Sequence, residues 1–300
     1  MRPHGLAALP LIAAMAGCVP AAPEPAPSPP PRAARPAPAP KPIAPPIEIR
    51  DEFTLDGAIE QGGWLRGLAP TGAATVRIGD QDVALAPDGS FFAGLDRDAP
   101  SSLLLVATLA DGRTIGTTLA IAPRDWRLER INAPLRGSTP SEAFMAIRRP
   151  ELAAINAARE ERSATDGWTQ DFIWPVKGRI SGRFGSQRIY QGVPGSYHSG
   201  LDIAPGAGVE YVAPADGVVV LASDKPFSLE GNLLIIDHGM GLNSAFLHSS
   251  RIVVKQGDRV KQGQLLGYVG ATGRATGPHL HWSLKWQDWR LDPLLFLPPQ

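Results

Sequence analysis

The sequence holds a single cysteine in 300 residues, Cys18. That excludes an intramolecular disulfide and any metal cluster built on several thiolates. Net charge is missing too: 29 basic and 29 acidic residues cancel, and no long like-charge run occurs. Nucleic acid is therefore not an expected partner, since phosphate binding needs a clustered basic surface. No His-Glu-x-x-His segment is present, which excludes the helical metalloprotease arrangement with Glu as base. Histidine itself is sparse. Of six, His4 stands at the N-terminus and the other five fall between residues 198 and 281.

What is abundant is glycine (32) and proline (31), and the proline is concentrated. Thirteen of the residues from Pro20 to Pro46 are proline. Such a stretch forms no packed core and favours extended polyproline II, so residues 18–47 read as a tether. Before it, residues 1–17 have a short basic start, an apolar run and small residues, the pattern of a secretory leader. The run is too short to span a bilayer as a mature helix. Met15-Ala16-Gly17-Cys18 resembles a bacterial lipobox, with Met where Leu is usual. The resemblance implies lipidation of Cys18 and a membrane anchor facing the periplasm. Val19 in place of Asp points to the outer rather than the inner membrane.

After the tether the expected class is mainly β. In residues 48–123, Ala74–Ile78 and Leu103–Leu109 read as strands, with Asp88-Gly89 and Asp111-Gly112 as turns. A small Ig-like β-sandwich is expected there, for positioning or partner binding. Residues 124–170 are expected to be a helical connector, with Pro150 at a first helical position and Gly167 as a stop. From 171 to 300, apolar strands separated by Gly, Pro and Asp-Gly turns predict an antiparallel β domain.

The chemistry is expected from the histidines. In His279-Leu280-His281, strand alternation turns both imidazoles to one face. In His198-Ser199-Gly200-Leu201-Asp202, Gly200 argues against a helix, and a loop entering a strand brings His198 and Asp202 together. His198, Asp202 and His281 then offer two nitrogens and one oxygen, a sensible zinc set that leaves one position open for water. His248 ends an apolar strand, where a side chain enters a cleft. His238 sits at a turn and is expected to have a structural or surface role.

The segment from Trp174 to Trp282 resembles the LytM/lysostaphin-type zinc endopeptidases. It has His-x-x-x-Asp, a later lone His and His-x-His in that order. Arg183-Phe184-Gly185, Ala213-Pro214-Ala215-Asp216-Gly217-Val218 and Thr276-Gly277-Pro278-His279-Leu280-His281 match as well. The resemblance implies one zinc ion per chain, held by His198, Asp202 and His281. It implies catalytic roles for His248 and His279, and a β fold like a glucose-permease-type hybrid barrel. Phe246 and Ser249 stand where the family commonly has Tyr and Leu. The implied activity is hydrolysis of peptide bonds in peptidoglycan stem peptides or cross-links during wall remodelling or division, with a division or envelope protein as a further partner. The alternative is a non-catalytic or autoinhibited activator of other wall hydrolases. A biotinyl-type carrier is disfavoured, because no Lys next to Met occurs.

Overall fold

A computed structural model describes residues 49–135 and 140–300. The expected leader (1–17) and the whole of the tether with Cys18 (18–47) lie outside the described residues.

Seven strands come first: β1 (Thr54–Ala58), β2 (Trp64–Leu68), β3 (Ala73–Ile78), β4 (Gln81–Val83), β5 (Ser90–Gly94), β6 (Ser102–Leu109) and β7 (Thr114–Ala120). They make two antiparallel sheets, ordered β1-β2-β5 and β4-β3-β6-β7. In β6 the inward side chains Leu105, Ala107 and Leu109 alternate with more exposed ones, the period-2 pattern of a strand with one face in the core. The β6–β7 hairpin turns at Asp111-Gly112, where Gly112 takes φ +87° and the Asp111 carboxylate accepts from the Arg113 N–H. These sheets pack onto the rest of the chain. Trp64 stacks near Phe92 and Phe296 and donates its indole N–H to the Leu295 carbonyl at 3.0 Å. A Cβ at Gly94 would meet Leu291 at 2.7 Å. One hydrophobic core therefore runs from Leu65 and Phe91 through to Trp282 and Trp286.

The connector differs from expectation. Helix α1 spans Glu142–Glu160, starting eight residues before Pro150 and leaving Pro150 inside it. The start is fixed by Ser141, whose hydroxyl accepts from the Phe144 N–H at 3.1 Å. Pro150 offers no N–H to the Ala146 carbonyl, so one intrahelical bond is missing. Packing carries the helix instead: Ile155 and Ala158 bury against Val220, Leu233, Ile235 and Ala245. Burying Ile155 alone stabilises by roughly 1.5–3 kcal/mol. The described residues before α1, 124–135, are not helical. They contain β8 (Leu128–Ile131), which pairs parallel with the later strand Gln187–Tyr190.

The remaining strands are β9 (Arg179–Gly182), β10 (Gln187–Tyr190), β11 (Val193–Pro194), β12 (Leu201–Ala204), β13 (Glu210–Val212), β14 (Gly217–Ala222), β15 (Asn232–Asp237), β16 (Leu242–Ser249), β17 (Arg251–Ile252), β18 (Arg259–Val260), β19 (Leu265–Tyr268), β20 (Leu280–Trp286) and β21 (Trp289–Leu291). The main sheet has the order β18-β14-β15-β16-β20-β12-β9, with β21 on β20. The fold is mainly β, as expected. The main sheet is an open path rather than a closed barrel. One face packs on the aromatic core. The other is covered by α1 in part, which explains why β15 reads Leu-Leu-Ile-Ile without alternation.

Candidate metal centre and cleft

The central strands β12, β20 and β16 set the site. Asp202 on β12 lies directly opposite His281 on β20, and His281 lies opposite Leu247 on β16. Alternation along β20 sends Leu280 and Trp282 into the core and His281 the other way. His198 arrives on the loop before β12. Its Nδ1–H donates to the Arg183 carbonyl at 3.1 Å, and its Nε2 lies 3.1 Å from Asp202 Oδ1. His281 Nδ1 lies 2.8 Å from the same oxygen.

His198, Asp202 and His281 each offer an atom within 4.8 Å of the others, so together they could hold a metal ion. The donor set fits zinc. Ligand atoms about 2.0 Å from a tetrahedral zinc lie roughly 3.3 Å apart, close to the observed 2.8 and 3.1 Å. Two glycines make the room. A Cβ at Gly182 would sit 2.3 Å from Asp202 Oδ2, and one at Gly200 would sit 2.7 Å from His281 Nε2.

Burial works to raise the Asp202 carboxyl, but hydrogen bonds from His198 and His281 outweigh it and hold the carboxyl well below the usual range. Burial lowers His198, yet its bond to Asp202 leaves it raised on balance. Burial dominates at His281 and keeps it lowered despite Asp202. An ionised carboxylate and a neutral imidazole are the forms that metal binding requires.

His248 and His279 line the same cleft, a cavity of about 410 Å³. Their rings are 4.9 Å apart, and His248 is 6.3 Å from the His281 ring. His248 donates Nδ1–H to the Thr272 carbonyl at 2.8 Å, and His279 donates Nδ1–H to the Gly277 carbonyl at 2.8 Å. A carbonyl can only accept, so the nitrogen that each ring turns to the cleft as a base is Nε2. Burial lowers His248, which favours its neutral form at pH 7. Its backbone is left-handed, φ +65°, uncommon outside glycine. That conformation is held by the His248 N–H to the Glu230 carbonyl at 2.8 Å and by the ring's bond to Thr272.

All five sequence-predicted residues thus meet in one cleft. Phe246 stacks in the core on Tyr211 and Trp282, and Ser249 hydrogen-bonds the Tyr211 hydroxyl at 2.9 Å. His238 is not at the site. It is fully buried, donating Nδ1–H to the Asp216 carbonyl and accepting from Ser244 Oγ, both at 2.7 Å. Sequence reading missed Tyr197, Glu230 and Arg274 as cleft residues. Arg274 follows Gly273 within a motif whose histidines drew the attention, and Glu230 carries no motif. A second groove of about 700 Å³ continues from His198 past Arg127, Arg183 and Tyr190.

Residues 196–293 match the model of Peptidase family M23. A solved Pseudomonas aeruginosa structure described as peptidase M23 is 30% identical, with a TM-score of 0.60, covering 79% of this chain and 94% of that one. The chain belongs to peptidase family M23. Among curated proteins, it is similar to peptidoglycan DD-endopeptidase ShyA of Vibrio cholerae, 40% identical over 37% of this chain and 26% of the relative. It is also similar to murein hydrolase activator NlpD of Escherichia coli, 32% identical over 42% of this chain and 31% of the relative. The match spans about a quarter to a third of those relatives' length.

Proposed function

We infer that the chain is a zinc-dependent endopeptidase hydrolysing peptide bonds in peptidoglycan stem peptides or their cross-links. The observation that carries the reading is the convergence of His198, Asp202, His281, His248 and His279 on one cleft. His198 Nε2, Asp202 Oδ1 and His281 Nδ1 would hold one zinc ion. Bound there, zinc supplies Lewis acidity to the scissile carbonyl and to a water. The free Nε2 of His248 or His279 accepts the water's proton. The other ring donates a hydrogen bond to the developing oxyanion or a proton to the leaving amine. The Thr272 and Gly277 carbonyls fix each ring's tautomer and aim.

The similarity to proteins named murein hydrolase activators favours a second reading, a regulator of other wall hydrolases. The two separate on one experiment: zinc-loaded protein, its chelated form and His281→Ala are incubated with purified peptidoglycan alone. Chelator-sensitive release lost in His281→Ala supports the peptidase. Release that occurs only when a second hydrolase is added supports the regulator. The proposal includes lipidation at Cys18 and a periplasmic location, checked by mass spectrometry of the membrane-extracted chain against Cys18→Ala. It also includes an envelope partner for the β1–β7 sheets.

A further inference from the structure

The face of β20 that carries His281 continues beyond the cleft. Ser283 and Lys285 follow on the same side, into a second cavity of about 260 Å³ flanked by α1. At about 3.3 Å per residue, the Lys285 Cα lies on the order of 13 Å along the strand from that of His281. The two cavities share Ser199, Glu230, Leu247 and His281 as lining.

The charges in this cavity do not balance. Among its lining residues, Arg148, Arg159, Lys285 and Arg290 stand against one carboxylate, Glu230, and Arg148 pairs besides with Glu151 at 3.0 Å. Arg148 already occupies the Glu230 carboxylate with two bonds, at 2.6 and 2.7 Å. Lys285 has only the exposed Asp288 at 3.5 Å. The Nε of Arg159 is buried and has no hydrogen-bond acceptor. Burial and neighbouring Arg290 pull the Arg159 guanidinium down to about 10, and burial with Arg159 pulls Lys285 down as well. Among the described residues, Arg159 makes no ion pair and Lys285 only one with an exposed carboxylate, an arrangement that an anion in the cavity would complete. Its position beside the peptide-cleaving cleft favours an anion that belongs to the substrate.

We propose that Arg159 and Lys285, with Arg290 adding charge, form a subsite for a free carboxylate on the peptide substrate, a few residues from the bond in the cleft. The inference deepens the endopeptidase reading and rests on it for the substrate's identity. Stem peptides bear such carboxylates, and a guanidinium binds a carboxylate through paired, charge-assisted bonds.

The test uses zinc-loaded full chain carrying His248→Ala to slow turnover. Cross-linked stem-peptide dimers, with carboxylates free or amidated, are titrated in by calorimetry. The free form should bind at least about tenfold tighter. Arg159→Gln and Lys285→Gln should each remove most of that preference, while Arg159→Lys should restore part of it. Equal binding of the two dimers, or a preference intact in both Gln variants, overturns the subsite. Thermal melts confirm that each variant folds. Turnover of the same dimers by the chain with His248 intact separates the two claims. Cleavage without carboxylate preference sinks the subsite and leaves the peptidase. Preference without cleavage supports the subsite and sinks the peptidase.

Discussion

His238 gives a prediction whose size follows from its surroundings. The ring is fully buried, and burial pushes it down to about 4 from an ordinary value near 6.5. It is held neutral between the Asp216 carbonyl and the Ser244 hydroxyl, and Ser244 Oγ also accepts the Trp282 indole N–H at 3.1 Å. Above pH 6.5 the ring is neutral in both folded and unfolded chains, and it adds no pH dependence. As pH falls from 6.5 to 4, the unfolded chain takes up a proton that the folded chain refuses, so stability is lost. A shift of about 2.5 units corresponds to a loss of about 3 kcal/mol, complete near pH 4. Urea denaturation at steps from pH 8 to pH 4, on the protein and on His238→Gln, isolates this contribution from other titrating groups. The variant should be less stable at pH 8 by about 1–3 kcal/mol, because the buried Asp216 carbonyl and Ser244 hydroxyl lose their partner. That gap should close as the pH approaches 4. A gap that stays constant across the range would refute the reasoning.

Gly182→Ala places a methyl 2.3 Å from Asp202 Oδ2. It should weaken zinc affinity at least about tenfold, read by competition with a chelating dye, while the far-ultraviolet circular dichroism stays unchanged. His248→Ala and His279→Ala should each lower turnover by about 10²–10⁴ with zinc still bound, as loss of a general acid or base does; full turnover in both would remove them from the chemistry. Arg148→Ala leaves the Glu230 carboxylate without its two-point partner and strips a bond from Glu151. The pair is slightly exposed, so a loss of about 2–3 kcal/mol is expected in denaturant melts, below the range for fully buried pairs. An accompanying fall in turnover would follow from Glu230, whose carbonyl holds the His248 N–H.

The site was legible in the sequence because its residues obey local rules. Alternation in His279-Leu280-His281 and the glycine in His198-Ser199-Gly200-Leu201-Asp202 fix which way the side chains point. The structure then places Asp202 opposite His281. The hairpin at Asp111-Gly112 and the strand at Leu103–Leu109 were legible for the same reason. Helix α1 was not. Its start depends on the Ser141 cap, and its passage through Pro150 depends on burial of Ile155 and Ala158 against the sheet. Propensity could not anticipate that tertiary contact. The parallel pairing of β8 with β10 joins residues about sixty apart and leaves no local trace. Arg159 and Lys285 are likewise ordinary charges in sequence. Only the approach of α1 to β20 makes them a cluster.

The proposed function is that a zinc ion held by His198, Asp202 and His281 works with His248 and His279 to cut peptide bonds in the cell wall. The most direct test is mass spectrometry of purified cross-linked peptidoglycan dimers after incubation with the zinc-loaded chain and no other hydrolase. The account predicts conversion of dimers to monomers by addition of one water at a peptide bond, stopped by chelation and restored by zinc. Dimers that remain intact with one zinc bound per chain would contradict it.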